Sequence, residues 1–287
     1  MRIAKIKVDP KIVSSKPSDG LRWRTRFDFA VSENGKVGLY SSKTKKVVEI
    51  DKCSIALNKI NNSDIFSKKW NGSDRVRVAV SSSDQLNISR GKKTIAGPKK
   101  IREVVGSNFY DISPQSFWQS HTQAPSILSD LVVDFMKLKP GDIVCDLYGG
   151  VGLFTMPISK KIGNDGHVHL VELSSHSVRD AYKIFKDYTN VSIHRGSVDR
   201  KLPKINNIDI IVLDPPRTGA GKEVINQIIS KKPRAVVYIS CDPASLARDA
   251  KYLKDSDYEL DKINAIDLFP MTHHIESIVR FIPKKKN

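Results

Sequence analysis

Ile143-Val-Cys-Asp-Leu-Tyr-Gly-Gly-Val-Gly-Leu-Phe-Thr-Met-Pro-Ile-Ser-Lys-Lys161 is the stretch on which the fold turns. An apolar run from Ile143 to Leu147 enters a glycine-rich turn, Asp146-Leu-Tyr-Gly149-Gly150-Val-Gly152, and a helical stretch follows from Leu153 to Lys161. Strand, glycine turn and helix in that order open a βαβ unit, and the glycines allow the backbone to approach a ligand closely. The turn lacks the spacing of the dinucleotide fingerprint, and it carries no Gly-Lys-Ser of a phosphate-binding loop.

Downstream, the pattern repeats. Further apolar strands are expected at His167 to Glu172, Val191 to His194, Ile208 to Leu213 and Ala235 to Ser240, with helices near Ser174 to Tyr188, Gly221 to Ser230 and Pro243 to Leu253. Short apolar strands separated by helices predict a parallel sheet covered on both faces. Upstream, Ile127, Leu128, Leu131, Val132, Phe135 and Met136 recur at helical spacing after Pro125, and Lys139-Pro-Gly-Asp142 ends that helix. Two last strands, Tyr258 to Phe269 and Ser277 to Ile282, have no helix between them and predict an antiparallel pair at the end of the sheet. No internal repeat is present.

The first part of the chain follows another grammar. Trp23, Thr25, Phe27, Phe29 and Val31 alternate with Arg22, Arg24, Arg26 and Asp28, and Glu33-Asn-Gly35 precedes Lys36 to Ser41, a hairpin pattern that points the three arginines one way. Strands are also expected at Val47 to Ile50, Arg75 to Ser82 and Leu86 to Ser89, with a short helix around Ile55 to Phe66 and an exposed basic loop over Gly91 to Lys100. The expectation is a small α+β domain at residues 1–110, then an α/β domain at 111–287.

Charge separates the same two parts. The 287 residues carry a formal +17, of which residues 1–110, with 24 basic and 10 acidic side chains, supply +14. An excess confined to one domain is the footprint of a polyanion partner, RNA or DNA. With 39% hydrophobic residues the chain is neither disordered nor collagen-like, and no apolar run reaches membrane-span length. Met1 to Lys7 lacks the apolar core of a signal peptide, so a soluble, cytoplasmic protein is expected. Cys53, Cys145 and Cys241 are too few and too scattered for a disulfide framework or a cysteine metal site, so any cysteine chemistry belongs to a single thiol.

In an open α/β sheet, ligands bind outside the carboxyl ends of the strands. Glu172 ends the second strand of the sheet roughly 20 residues past the glycine turn, the spacing at which an acidic side chain takes ribose hydroxyls, so turn and acid together favour a nucleoside cofactor. Asp214-Pro-Pro-Arg217-Thr-Gly219 ends the fourth, where the prolines impose a rigid exit suited to a pocket wall. Tyr238-Ile-Ser-Cys241-Asp-Pro243 ends the fifth and places Cys241 near a helix N-terminus, an environment that favours thiolate. His273 and His274 have no spacing that argues for a metal, so none is expected.

Four motifs in this order, Asp146-Leu-Tyr-Gly-Gly-Val-Gly152, Asp214-Pro-Pro-Arg217, Ser240-Cys-Asp-Pro-Ala-Ser-Leu-Ala-Arg-Asp249 and Asp267-Leu-Phe-Pro-Met-Thr-His-His-Ile-Glu276, resemble those of the S-adenosylmethionine-dependent RNA uracil-5-methyltransferases. The resemblance covers the chain from about residue 20. It implies a Rossmann-like, seven-stranded class I methyltransferase domain preceded by a small α+β central domain, with S-adenosylmethionine as cofactor and rRNA or tRNA as partner. By motif position it implies Cys241 as nucleophile and Glu276 as proton acceptor. Gln119 of Ser116-Phe-Trp-Gln119, Tyr148, Glu172 and Asp214 match positions that bind the cofactor. Members of the family commonly carry an N-terminal TRAM domain, and many hold an iron-sulfur cluster on four cysteines; neither is expected here, and the chain is expected to begin within the central domain. Cys241-Asp-Pro stands where Cys-Asn-Pro is common.

Uracil C5 is a poor nucleophile until a thiolate adds at C6, and the methylated carbon must then lose its proton before the thiolate can leave. A thiol and a carboxylate meet those two needs. Two other readings compete with this one: methylation of an exocyclic amine, suggested by Asp-Pro-Pro and needing no thiol, and a catalytically silent RNA-binding protein, suggested by the basic first domain. Arg217 and Arg248 suit either RNA contact or support of the catalytic loop.

Overall fold

Alternation of apolar and polar residues builds the first part of the chain, and continuous apolar runs build the second. The computed structural model describes residues 6, 8–17, 19–44, 46–72 and 75–285, so the Met1 to Lys7 stretch read for a leader lies outside them except for Ile6. Lys16–Ala124 forms one unit, and the described residues on either side of it form the other. The break therefore falls near 124, and a strand near the N-terminus, β1 (Lys11–Ser14), belongs to the later sheet.

In the smaller unit, β2 (Arg26–Val31), β3 (Val37–Tyr40), β4 (Val47–Glu49), the single helical turn α1 (Asn58–Asn61), β5 (Val76–Val80), β6 (Leu86–Arg90) and β7 (Lys93–Ala96) give an antiparallel sheet in the order β4-β3-β2-β5-β6-β7. A separate hairpin pairs β8 (Ile101–Val105) with β9 (Asn108–Ile112). Phe27, Phe29, Val76, Val78 and Ile88 pack on Ile60, Ile65 and Trp70 to form the core. Three expectations change. The basic stretch after Gly91 is a strand over Lys93–Ala96, because Lys93, Thr94 and Ala96 pair with Arg90, Ser89 and Ile88 once Gly91, at φ 54°, has turned the chain. The helix expected over 55–66 shrinks to one turn, since Asn61 bonds to the backbone of Cys53 and Ser63 to that of Ile60. The arginines do not share a face: Arg22 sits at φ 54° beside Asp19, whereas Arg26 is partly buried and ion-paired to Glu103 at 2.6 Å.

The larger unit opens with α2 (Ala124–Met136), whose Leu128, Val132, Phe135 and Met136 are fully buried. It continues as β10 (Ile143–Leu147), α3 (Thr155–Ile162), β11 (His167–Glu172), α4 (Ser175–Ile184), β12 (Val191–Arg195), α5 (Val198–Lys201), β13 (Ile210–Leu213), α6 (Gly221–Ser230), β14 (Ala235–Ser240), α7 (Pro243–Lys254), β15 (Tyr258–Asp267) and β16 (Glu276–Pro283). The sheet runs β1-β15-β16-β14-β13-β10-β11-β12. Its seven expected strands are joined by an eighth, since β1 pairs parallel to β15 with Lys11 opposite Asn264. β16 is antiparallel to both of its neighbours, as the missing helix before it requires. Every residue of β13 and β14 is buried, and Leu213, Val236, Tyr238 and Phe281 pack against Val224, Ile228, Leu246 and Leu253 from α6 and α7.

The order of strands places the ligand crevice. From β10 the chain winds outward through β11 to β12, then returns to β13 on the other side of β10 and winds outward again to β14. The winding reverses between β10 and β13, and such a reversal leaves a crevice at the strands' carboxyl ends. Gly152 packs the turn above β10 onto the sheet: it adopts φ +96°, and a Cβ there would lie 2.3 Å from the Phe185 ring. Gly152→Ala is expected to cost about 2–5 kcal/mol through backbone strain and overpacking, read as a lower midpoint in urea unfolding.

Candidate active site

Five ionisable side chains stand at the carboxyl end of the sheet, on adjoining strands. Glu172 ends β11, Asp146 lies in the last turn of β10, Asp214 follows β13, Cys241 follows β14, and Glu276 opens the antiparallel β16 beside it. Burial pushes the Asp146 carboxyl up to about 7, with the Glu172 charge adding to the shift against the hydrogen bond that Thr155 donates at 2.6 Å. Burial likewise raises Asp214, and the charge of Asp146 raises it further. Glu276 is driven well above the carboxylate range, first by burial and then by Asp214. Like charges in a dry cleft cannot all be ionised, so the group holds protons at neutral pH.

Cys241 and Glu276 meet through strand pairing. Ser240 and Ser277 are the last paired residues of β14 and β16, so the next position on each strand brings Cys241 and Glu276 alongside one another. Glu276 is 3% exposed, its Oε1 has no partner among the described residues, and Cys241 is half-buried. The thiol is not held as thiolate in the free protein. Burial raises it most, then Glu276 and Asp214, while Arg217 lowers it. The expected help from the helix N-terminus is outweighed because Cys241 precedes the helical turn: Asp242 is the N-cap, accepting the Ser245 N–H at 2.6 Å, and Pro243 follows it. Capping also gives Asp242 a role that an asparagine would fill equally.

Glu172 lies against the glycine turn. One carboxylate oxygen accepts the Gly150 N–H at 3.0 Å and the other the Ser174 N–H at 2.5 Å, so both keep a lone pair for further donors. Tyr148 carries the turn at φ 61°, a strained setting for a bulky residue, and packs against the core on the α6–α7 side, where burial, Asp249 and Asp199 raise its phenol to about 12. Gln119 is buried within the smaller unit, on the segment after β9. The His273 and His274 rings lie with centroids 4.0 Å apart, tilted by 44° to each other, in the loop before Glu276. Among the described residues no group of His, Cys, Asp or Glu could hold a metal ion, and no helix is long and apolar enough to cross a membrane.

Sequence reasoning quoted Asp146 within the glycine motif without giving it a role, although an acid at the buried end of a parallel strand was a signal. Arg248 bonds to Asp249 and to the Thr218 carbonyl at 2.7 Å. Arg217 remains exposed.

The residues fit S-adenosylmethionine. Glu172 has acceptor capacity left for two ribose hydroxyls, Asp146 Oδ1 is buried without a partner among the described residues, and the acidic crevice suits a cationic sulfonium. Fold and crevice define a class I S-adenosylmethionine-dependent methyltransferase. Residues 78–284 match the family model described as tRNA (uracil-5-)-methyltransferase, and the chain belongs to that family. It is 33% identical over 294 residues to an uncharacterized RNA methyltransferase of Streptomyces avermitilis, covering 92% of this chain and 68% of that one. A second relative, from Streptomyces coelicolor, is 31% identical, with 92% and 64% covered. The chain thus spans about two thirds of the length of these relatives. Among solved structures, the Pyrococcus abyssi tRNA (uracil-54, C5)-methyltransferase in complex with S-adenosyl-L-homocysteine shares the fold, with a TM-score of 0.76 at 22% identity over 98% of this chain and 80% of that one. The protein is therefore an S-adenosylmethionine-dependent RNA methyltransferase.

The acid row predicts a pH dependence of stability. A carboxyl whose folded value lies above its unfolded one binds its proton more tightly in the native protein, so its contribution is full below the unfolded value of about 4 and is lost as pH rises. For Asp146 the loss runs up to about 7. Asp146→Asn is expected to match wild type in thermal melts at about pH 4 and to exceed it at about pH 8. Parallel curves for the two proteins across that range count against the assignment.

Proposed function

We propose that the enzyme methylates C5 of a uridine in structured RNA, rRNA or tRNA, through a covalent adduct between Cys241 and C6. The observation that carries this reading is the pairing of one thiol with one dry carboxyl, Cys241 beside Glu276, at the crevice of a methyltransferase sheet. Tyr148, Glu172 and Asp214 would hold S-adenosylmethionine, with Glu172 taking the ribose hydroxyls; the bound cofactor supplies an electrophilic methyl carbon. Methylation of an exocyclic amine would leave a half-buried thiol facing a buried acid without a purpose.

The side chains perform the remaining steps. Cys241 gives its proton to water, and Sγ adds to C6 of a base taken out of its stack, which turns C5 into an enolate carbon able to accept the methyl group. C5 then still carries its hydrogen. Glu276, having released its own proton to water before this stage, removes the C5 proton, the electron pair re-forms the C5–C6 double bond, and Cys241 leaves as thiolate. Desolvation suits both groups to their tasks: it strengthens the basicity of Glu276 and keeps Cys241 protonated until substrate arrives. The net +14 of residues 1–110 supports binding of the RNA backbone.

Cys241→Ala is expected to lose turnover by at least about a thousandfold in labelled-methyl assays on RNA lacking the modification. Glu276→Gln is expected to add the methyl group and then stall, giving a protein–RNA band that survives denaturing gels. Full turnover by the Cys241 variant would sink the adduct mechanism and favour the exocyclic-amine reading.

A further inference from the structure

The motif that carries Cys241 ends in Arg248-Asp249, and methyl transfer as described leaves both unused. Asp249 is fully buried, yet its carboxylate meets five donors. Oδ2 accepts the Ala220 N–H at 2.8 Å, the Gly221 N–H at 3.2 Å and the Tyr238 hydroxyl at 2.7 Å. Oδ1 accepts Arg248 Nε at 3.0 Å and Nη2 at 2.9 Å, and the same Nη2 donates to the Thr218 carbonyl at 2.7 Å. Three elements meet at this one group: α7, whose N-terminus carries Cys241; β14, the strand leading to Cys241; and the loop from Asp214 to Ala220.

The loop is moulded to that carboxylate. Gly219 lies at φ +78°, and a Cβ there would stand 2.5 Å from Arg248 Nη2 and 2.6 Å from Asp249 Oδ2. Helix α6 begins at Gly221 after Ala220, which has no side chain able to cap it, so Asp249 caps the helix from a distance and puts negative charge at its positive end. The captured loop also carries Arg217, the cation that opposes the upward shift of the thiol.

We infer that Asp249 is a positioning residue that locks the Asp214–Gly219 loop to the helix behind Cys241 and thereby sets where Arg217 and Asp214 stand relative to the thiol. The inference deepens the proposed function and rests on Cys241 being its nucleophile. A buried hydrogen-bond centre of this kind fixes geometry more than it contributes binding, so its loss acts on the chemical step. A displacement of about 1 Å at a reacting group is enough to slow chemistry markedly.

Asp249→Asn tests the lock, because an amide offers one acceptor oxygen where two are needed and turns an N–H2 group toward donors. Binding of S-adenosylmethionine is expected to stay within about twofold, KM for RNA within about threefold, and kcat to fall about 10- to 100-fold. Alkylation of Cys241 by iodoacetamide, followed by mass spectrometry, is expected to shift its rate–pH curve to higher pH, since Arg217 no longer opposes the carboxylates. Tyr238→Phe and Arg248→Lys each remove part of the network, and Arg248 is accessible enough for substitution without loss of the fold; both are expected to show the same changes to a smaller degree. A folded Asp249→Asn protein with wild-type kcat and an unmoved alkylation curve overturns the inference. If that variant does not fold, the same null result in Arg248→Lys overturns it. Alkylation is read without RNA, so a wild-type enzyme that does not methylate uridine defeats the proposed function while the lock is still tested.

Discussion

Burial of several acids in one dry crevice is the constraint on which the rest of this protein depends. Asp146, Asp214 and Glu276 occupy strand ends that the sheet order makes neighbours, and desolvation together with mutual repulsion keeps protons on them. That arrangement costs stability above the ordinary carboxylate range. It is sustained by the continuous apolar packing of β13 and β14 beneath it and by the glycine turn above β10. The reward is chemical, since a carboxyl kept from water is a stronger base once ionised, and a thiol kept neutral does not react until a substrate enters.

The α/β part was legible almost residue by residue because its signal is redundant. Ile143–Leu147, His167–Glu172, Ala235–Ser240 and Gly221–Ser230 are found where the apolar runs and helical spacing put them. The smaller unit was read less well, and for physical reasons. Lys93–Ala96 is a strand despite its flanking lysines because a hairpin edge needs only backbone pairing, and Arg26 is partly buried despite its charge because Glu103 meets it there. Glu103 lies 77 residues from Arg26 in sequence. β1 escaped notice for the same reason, since it is joined to β15 across some 250 residues.

At the site, the acids and the thiol could be named from motif order, but their protonation could not. Whether a helix end or a neighbouring carboxylate governs Cys241 depends on which position is the cap, and Asp242 takes that position. The bond from Arg248 to the Thr218 carbonyl was likewise invisible in the sequence, because the two residues are 30 positions apart. Composition spoke to the partner rather than the chemistry: the basic excess lies in the first 110 residues, while the crevice itself is acidic.

One feature of the ladder governs how the family's chains can vary. Glu276 reaches Cys241 by the hydrogen-bond register between β14 and β16, not by the loop from Leu268 to Ile275 that precedes it. Strand side chains alternate between faces, so a single added residue within β16 would exile the carboxyl to the opposite side of the sheet. The connecting loop lies outside the ladder, so a change in its length carries no such penalty.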